Sequence, residues 1–376
     1  MATFFTFLEK RSKRFVVTLA LIVVLVIGLI DYLTSTELSL SVFYLLPVFI
    51  AAWYADKWNA FLVSLFSAVT WFFVDFIEAN IHAYAFIPYW NAAVRLGIFA
   101  IVTYILSRLK TSIESEFELA KEIQQGFLPR STPEVEGVEI VGRTQPSHAV
   151  SGDYFDVLKY NEHEVGLCVA DVVGHGVPAA LLMSNLQAAV RIYASGKIAP
   201  RDLCEKLNET VCDNIVPGKF ITFFYALLDA EKRELTYTNA GHNPPILVRK
   251  DGSHELLDAS DIVFGVSRTA RYSQSTVQLD EGDRLLLFTD GVTEVENRAG
   301  EQFGVRRLVE LVRRHSGLSA AELEQTILRD LTRFSKNTFQ DDITLLVVVV
   351  KSEKERRGSS HASGSHRQKY GMPATP

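Results

Sequence analysis

The stretch that decides the fold of this 376-residue chain is VGLCVADVVGHGVPAALLMSNLQAAVR, at residues 165–191. It opens on an apolar run that ends at Asp171, which is typical of a strand buried on both faces. The segment GHG at 174–176 then predicts a tight loop, because glycine reaches backbone conformations that other residues avoid. The apolar segment after the loop predicts a helix over 177–193. This stretch therefore delivers an aspartate from a buried strand to a glycine-rich loop.

Short apolar segments and helical patterns alternate on both sides of this stretch. Strands are predicted within ITFFYALLD, ELTYTN, PILVRK and DRLLLFTD, several of them antiparallel because the turns between them are short. Helical periodicity covers 305–314 and 320–335. The segment DITLLVVVV is apolar almost throughout and predicts a final, interior strand. The fold class is therefore α+β, with sheets in the core and helices outside.

Four acidic positions lie at strand ends or beside glycine: Asp153 in SGDYFD, Asp171, Asp290 in FTDGVTE, and the pair Asp341–Asp342 in QDDIT. Each one alone is weak evidence for a site: Asp290 precedes a glycine, as turn residues usually do, and Asp341–Asp342 fits a solvated strand start. Together, carboxylates at the ends of buried strands would repel one another unless a cation neutralised them. Oxygen ligands suit Mg²⁺ or Mn²⁺, and the sequence has no His/Cys spacing for zinc. Two such ions would lower the pKa of a shared water and orient a phosphoryl group for attack.

Seven sequence blocks follow one another in an order that points to a known family. They are SGDYFDV, ADVVGHGVPAALLMSNLQAAVR, TFFYALLD, LTYTNAGHNPPIL, LLLFTDGVTEVEN, FG and QDDITLLVV. This order resembles that of bacterial SpoIIE/RsbU-type phosphatases, which belong to the metal-dependent type 2C protein phosphatase (PPM) superfamily. The resemblance covers about 118–350, including an IQQGFLP segment before the domain. It implies a fold of two packed antiparallel β-sheets flanked by helices, and the hydrolysis of phosphoserine or phosphothreonine.

The same resemblance assigns roles to individual residues. Asp171 is expected to bridge two Mn²⁺ or Mg²⁺ ions, with the Val172 carbonyl as a backbone ligand. Asp290 and Asp341 are expected to be further ligands of the first ion, and Asp153 to assist through the second. These four aspartates are the predicted catalytic residues.

Other positions of the motifs are expected to have supporting roles or depart from the family pattern. Asp342 is the less favoured ligand of its pair, because the family has Asn or Asp there. His175 and His242 are expected to shape loops and not to act in catalysis. Ser151 replaces the first glycine of the usual GGD. No arginine near the N-terminus corresponds to the phosphate-binding arginine of the eukaryotic branch. The sequence therefore does not indicate which residue binds the substrate phosphate.

The chain before residue 110 has a different composition, with four apolar stretches at 15–30, 38–55, 60–74 and 89–106. Each covers most of a bilayer core, which needs about 20 residues of helix. No small-residue cleavage site follows the first stretch, which argues against a signal peptide. Basic residues precede the first stretch, lie in the second loop at Lys57 and follow the fourth stretch. The positive-inside rule therefore predicts a multi-pass protein of the inner (plasma) membrane, with both termini and the catalytic domain in the cytoplasm.

Two features of this region leave alternatives open. Arg95 interrupts the fourth stretch, and it either snorkels to the outer interface or forms a ligand site with Asp75 or Glu78. Asp75 also makes the third stretch the least secure of the four spans. A linker helix is predicted after the fourth span, from apolar residues at helical spacing: Leu109, Ile113, Phe117, Ala120, Ile123 and Phe127. This stripe packs either on its own domain or on a second copy in a homodimer.

The predicted domain organisation has five parts. A cytoplasmic N-terminus at 1–14 precedes a four-span transmembrane domain at 15–108 and a linker helix at 109–130. The phosphatase domain covers 131–351. The segment 352–376 is polar, rich in Ser, His and Gly, and is expected to be disordered.

The composition also limits the function. A net charge of −6 without a long Lys/Arg run gives no electrostatic footprint for nucleic acid. The three cysteines form no CxxC pair, which fits a reducing compartment. The resemblance implies a phosphorylated regulatory protein as substrate, such as an anti-sigma-factor antagonist. The alternative is an inactive phosphatase-fold module that only binds a phosphorylated partner, although all the motif aspartates are present.

Overall fold

The computed structural model describes residues 7–8, 11–34, 40–79, 86–129, 131–258 and 261–351. The chain divides into two compact units, Met1–Glu118 and Leu119–Pro376. The predicted disordered segment at 352–376 lies outside the described residues.

The first unit contains helices at all four predicted apolar stretches. Helix α1 is Lys13–Thr34, a 3₁₀ turn at Ser41–Tyr44 leads into α2 at Leu45–Tyr54, α3 is Lys57–Ala79, and α4 is Ile87–Gln125. Three of these, α1, α3 and α4, are long and apolar enough to cross a membrane. Apolar side chains of α1, α2 and α3 share one buried cluster that includes Val24, Val48 and Val63.

The second apolar stretch, and not the third, is the one that falls short. Helix α3 continues through Asp75 to Ala79, so that aspartate does not shorten it. By contrast, the 3₁₀ turn and α2 together rise roughly 23 Å, less than the roughly 30 Å of a bilayer core. Residues 35–39, which lie before this helix, are outside the described part of the chain. The crossing of the second stretch therefore stays a prediction.

Polar contacts join α3 to α4 within the first unit. The Ser64 and Thr103 hydroxyls are 2.8 Å apart, and Asn91 Nδ2 donates to Asp75 Oδ2 at 3.3 Å. The Arg95 guanidinium lies 3.2 Å from the centre of the Trp71 ring. Such a contact offsets part of the cost of an arginine among apolar helices.

The predicted fourth span and linker helix form one continuous helix, α4. It ends at Gln125, before the predicted end of the linker helix at 130, because the chain turns at Gly126. The Gly126 N–H donates to the Glu122 and Ile123 carbonyls, which closes the last turn.

The second unit consists of ten strands and five helices among its described residues. The strands are β1 Val138–Gln145, β2 Tyr154–Lys159, β3 Glu164–Val172, β4 Ile221–Asp229, β5 Glu234–Ala240, β6 Ile246–Val248, β7 His254–Leu256, β8 Ser275–Gln278, β9 Arg284–Phe288 and β10 Ile343–Val350. The helices are α5 Val177–Tyr193, α6 Pro200–Asn214, α7 Asp290–Thr293, α8 Gly304–Arg314 and α9 Ala320–Ser335. The strands form two antiparallel sheets, ordered β1-β10-β9-β6-β7 and β2-β3-β4-β5-β8.

Strands buried on both faces explain the continuous apolar runs of the sequence. On β10, Leu346 and Val348 face the cluster between the two sheets, whereas Leu345 and Val347 pack against α8 and α9. Strand β3 alternates in the same way between the inter-sheet cluster and the cluster under α5 and α6. The order of layers is therefore helix, sheet, sheet, helix, as the family resemblance implied.

The registers of the two sheets bring the predicted acidic positions to strand ends. Tyr154 pairs with Ala170, so Asp153 and Asp171 lie together at one end of β2 and β3. Phe288 pairs with Leu345, so Asp290 lies beside the residues that lead into β10. These two strand-end positions hold the candidate site.

Candidate active site

Thr289 joins the two sheets at these strand ends. Its hydroxyl accepts the N–H of Thr344 at 3.1 Å and donates to Asp153 Oδ2 at 2.7 Å. Residues from β9, β10 and the segment before β2 therefore meet in one hydrogen-bonded unit.

Two glycines allow the loops of the site to approach closely. A Cβ on Gly291 would lie 1.9 Å from the Asp342 carbonyl oxygen. A Cβ on Gly152 would lie 3.2 Å from the Val172 carbonyl oxygen and 3.1 Å from Ala179 Cβ. Larger residues would force apart the segments that carry Asp290, Asp341 and Asp153. The SGD and TDG motifs thus need glycine for steric reasons.

Three carboxyl groups of the site, those of Asp153, Asp171 and Asp290, have a pKa above that of an ordinary aspartate. Burial raises the pKa of Asp171 to about 7, and the neighbouring charges of Asp290, Asp341 and Asp342 add to the effect. A hydrogen bond with Asp153 opposes this shift. Burial and the charge of Asp171 hold the pKa of Asp153 well above its usual range. The pKa of Asp290 is raised by burial and by Asp341.

Among the described residues, no Lys, Arg or His forms an ion pair with these aspartates. Asp156, only three residues from Asp153, shows the contrast. It is also buried, but Arg191 Nε lies 2.6 Å from its Oδ2. The lack of an ion pair thus distinguishes the site aspartates from a structural one.

The side chains suit a hard divalent cation in composition and in charge. They offer only carboxylate oxygens, the Val172 carbonyl is close by, and their mutual repulsion would be relieved by a cation. Within the described ranges, no three His, Cys, Asp or Glu side chains already form a compact cage. The fit is therefore one of donor chemistry and charge.

Asp342 has a different environment from Asp341. Its Oδ1 accepts the Ser147 N–H at 2.7 Å, and its Oδ2 accepts the Ser151 hydroxyl at 2.7 Å and the Gly152 N–H at 2.9 Å. Asp342 is buried, whereas Asp341 is exposed. The Asp342 carboxylate thus fixes the SGD segment, and Ser151 contributes through its hydroxyl.

The two histidines of the motifs also differ in burial. His242 is buried, and its Nε2 lies 3.1 Å from the Phe288 carbonyl, while Nδ1 lies 2.8 Å from the Thr222 hydroxyl. Burial lowers the pKa of His242 to about 4, so the ring is neutral. It donates through Nε2, since a carbonyl only accepts. His175 is exposed and stacks on His148, with ring centres 4.9 Å apart.

The sequence did not indicate how Gln124 takes part in the site. The buried side chain of Gln124 donates to the Ser151 carbonyl and accepts the Ser151 N–H, each at 2.8 Å. This pair of bonds ties the end of α4 to the SGD segment. The IQQGFLP segment was the only signal, and it gave no contact partner.

Comparisons with known proteins agree with this geometry. The family profile described as stage II sporulation protein E (SpoIIE) matches residues 161–351, just over half of the chain. This chain belongs to the SpoIIE family. Phosphoserine phosphatase RsbU of Bacillus subtilis is 34% identical over 246 residues, which cover 65% of this chain and 72% of that protein. Phosphoserine phosphatase RsbP of the same organism is 25% identical, with coverage of 64% and 59%.

Solved structures show the same fold. A Mycobacterium tuberculosis structure of RsbU and RsbW domains has a TM-score of 0.52 and 29% identity, covering 60% of this chain and 63% of that one. The SiaA-PP2C domain of Pseudomonas aeruginosa has a TM-score of 0.56 at 22% identity, covering 64% of this chain and 97% of that one. The family, the fold and the enzyme class, a protein serine/threonine phosphatase, are thereby confirmed.

Gln124→Ala should destabilise the protein by about 1–3 kcal/mol, because it leaves a buried N–H and a buried carbonyl of Ser151 without partners. Chemical denaturation of the full-length protein in detergent measures this loss. Gln125→Ala is the matched control, since Gln125 is the exposed neighbour of the same residue type. Equal stabilities of the two variants would contradict the structural role of Gln124.

The metal-free protein should lose stability as the pH rises. The folded-state pKa of Asp171, about 7, exceeds the unfolded value of roughly 4. The folded state therefore binds more protons between these values. The contribution of Asp171 is complete below about pH 4 and is lost as the pH rises through about 7.

Asp171→Asn removes this titration and provides the comparison. Thermal unfolding in chelator at pH 5 and pH 8 should show the variant gaining stability relative to the wild type at the higher pH. A difference between the two proteins that is the same at both pH values would show that Asp171 does not titrate in this range.

Proposed function

We propose that this protein is a membrane-anchored, divalent-metal-dependent phosphatase. Its substrate is a phosphoserine or phosphothreonine on a regulatory protein of the anti-sigma-factor-antagonist type. One observation supports this reaction. Four aspartates lie where strand ends of the two sheets meet, and among the described residues none of them forms an ion pair. They are Asp153, Asp171, Asp290 and Asp341. The substrate class rests on the likeness to RsbU and RsbP.

Asp171, Asp290 and Asp341, with the Val172 carbonyl, would hold Mn²⁺ or Mg²⁺, and Asp153 would assist at a second ion. Two such ions, when bound, supply a water of lowered pKa and orient the phosphoryl oxygens. The chain itself keeps its carboxylates in place. Thr289 holds Asp153 through a 2.7 Å hydrogen bond. Asp342 and Gln124 hold the segment that begins at Ser151.

Substitution of the three aspartates proposed to hold the first ion should remove most of the activity. Asp171→Asn should lower phosphatase activity on a phosphoserine peptide by a factor on the order of a thousand, because charge stabilisation at the reacting phosphoryl group is lost. Asp290→Asn and Asp341→Asn should do nearly as much. Activity should require added Mn²⁺ or Mg²⁺ and disappear with chelator.

Asp251→Asn is the control, since Asp251 lies in the exposed turn between β6 and β7. Turnover that resists chelator would rule out the metal mechanism. A wild-type protein that binds the phosphopeptide with the metal present, but never releases phosphate, would instead favour the inactive binding module.

The membrane topology is also part of the proposal. Helices α1, α3 and α4 meet the length and apolarity of a span, and Lys10–Arg14 and Lys110 flank the first and last of them. With the second stretch as a further span, both termini lie in the cytoplasm of the inner membrane. We also propose a homodimer through the linker part of α4, where Leu109, Ile113 and Phe117 expose between 38% and 49% of their surface.

Reporter fusions in the loops and after the last span test the topology. A cytoplasm-active reporter should work after Lys57 and after Lys110, and a periplasm-active reporter after Glu37 and near His82. The fusion after Lys57 decides whether the short second helix crosses. A periplasmic signal at Lys57 would mean that this helix does not cross and that the proposed topology is wrong.

A further inference from the structure

A cleft of about 560 Å³ lies in the second unit, away from the aspartates of the active site. It is formed by the β6–β7 turn, the start of β9 and the end of α8. Its lining includes four basic side chains: Arg249, Lys250, Arg284 and Arg313. Arg284 is the first residue of β9, and the strand leads away from it to Phe288 at the active-site end. At about 3.3 Å per residue, these two residues are roughly 13 Å apart.

Arg284 is a buried cation that forms no ion pair among the described residues. Only 7% of its surface is exposed. Its Nη1 donates to the Gly282 carbonyl at 2.7 Å, but its buried Nε has no hydrogen-bond partner. Among the described residues, no carboxylate forms an ion pair with Arg284. The charge of the adjacent Asp283 acts on this guanidinium, but Arg284 Nε remains a buried donor without an acceptor.

Two more cations converge on the same cleft. The side chain of Lys250 packs on Gly282, since its Cδ lies 3.2 Å from where a Cβ on that glycine would be. Arg313 reaches the β6–β7 turn, where its Nε lies 3.9 Å from the corresponding position on Gly252. Ser253 and Ser316 add hydroxyl groups to the lining.

The acidic groups nearby form ion pairs with the fourth cation, and none with these three among the described residues. Arg249 Nη1 lies 2.7 Å from Asp283 Oδ2, and its Nη2 pairs with Glu255. Asp251 accepts the N–H and hydroxyl of Ser253 within the turn. Lys250, Arg284 and Arg313 therefore bring more positive charge to the cleft than Asp251, the acidic residue of its lining, can balance. Arg313 Nη2 also lies 3.3 Å from His254 Nδ1, which carries no negative charge. This imbalance attracts an anion.

We propose that this cleft binds an anion bearing a phosphate group. Arginine and lysine donors arranged around one cavity match the several acceptor oxygens of a phosphate. The occupant would complete the hydrogen bonding of Arg284 and stabilise the catalytic domain from the end of β9 opposite the active site. The site is independent of the proposed function, because it shares no residue with the active site.

Two neighbouring arginines at the end of α8 provide a matched control for the test. Arg313 and Arg314 both lie in the last helical turn, where positive charge is favourable. Only Arg313 lines the cleft, whereas Arg314 pairs with Glu310 on its own helix. Arg314→Gln therefore removes the same charge from the same turn without touching the cleft.

The test uses full-length protein in detergent with chelator present, so that the active site holds no metal to attract the probe. Inorganic pyrophosphate should bind saturably in titration calorimetry and raise the melting temperature, compared with sodium chloride at equal ionic strength. Arg313→Gln and Lys250→Gln should each weaken binding by about tenfold, the effect of one lost charge-assisted hydrogen bond. Arg314→Gln should bind like the wild type.

Arg284→Gln completes the set, and its folding is checked by its melting temperature without ligand. If it does not fold, Arg313→Gln and Lys250→Gln decide the outcome. Wild-type affinity in both of those variants, or no saturable binding by the wild type, would overturn the proposal. Lipid discs separate the sources of the phosphate. Retention of the pyrophosphate effect in neutral lipid indicates a soluble anion, and its competition by phosphatidate-containing lipid indicates a headgroup.

Discussion

The mutual repulsion of buried carboxylates is the constraint around which the catalytic unit is built. Asp153 and Asp171 come from one sheet, Asp290 and Asp341 from the other, and burial raises the pKa of three of them. A fold that only needed stability would pair such groups with arginine, as it does for Asp156 and Arg191. The aspartates of the site therefore repel one another, and a bound cation can relieve this repulsion. The hydrophobic cores around the site offset the stability that the repulsion costs.

The surrounding structure keeps these carboxylates from moving apart. Two sheets buried on both faces fix the strand ends. Short hydrogen bonds then fix the loops, with Thr289 on Asp153 and Asp342 on the SGD segment. Gly152 and Gly291 remove the side chains that would otherwise separate these loops. The packed sheets, the hydrogen bonds and the two glycines therefore all help to hold the carboxylate oxygens of the site in fixed positions.

The sequence predicted the parts whose pattern is local. Helix α5 and strand β4 have the predicted bounds, because strong apolar periodicity and flanking turns define them. The motif aspartates were found because each adjoins a strand end. Strands β1 and β2 and helix α6 were not singled out, and neither were the roles of Gln124 and Thr289. Those roles depend on contacts between residues far apart in sequence, such as the 27 positions between Gln124 and Ser151. The length of the helix in the second apolar stretch also could not be predicted, because the composition of that stretch alone suggested a membrane span.

Strand β10 gives the catalytic unit a particular order of assembly. It lies inside its sheet, between β1 and β9, and Thr144 pairs with Thr344 across 200 positions of sequence. During synthesis, β1 stays without its partner strand until residues near 350 leave the ribosome. Helices α1 to α4 have been synthesised before β1. Pairing over such a distance is slow, and a waiting apolar strand edge is prone to aggregate. The first sheet is therefore completed only late in translation, and a chain that stops before β10 lacks the strand with which β1 and β9 both pair.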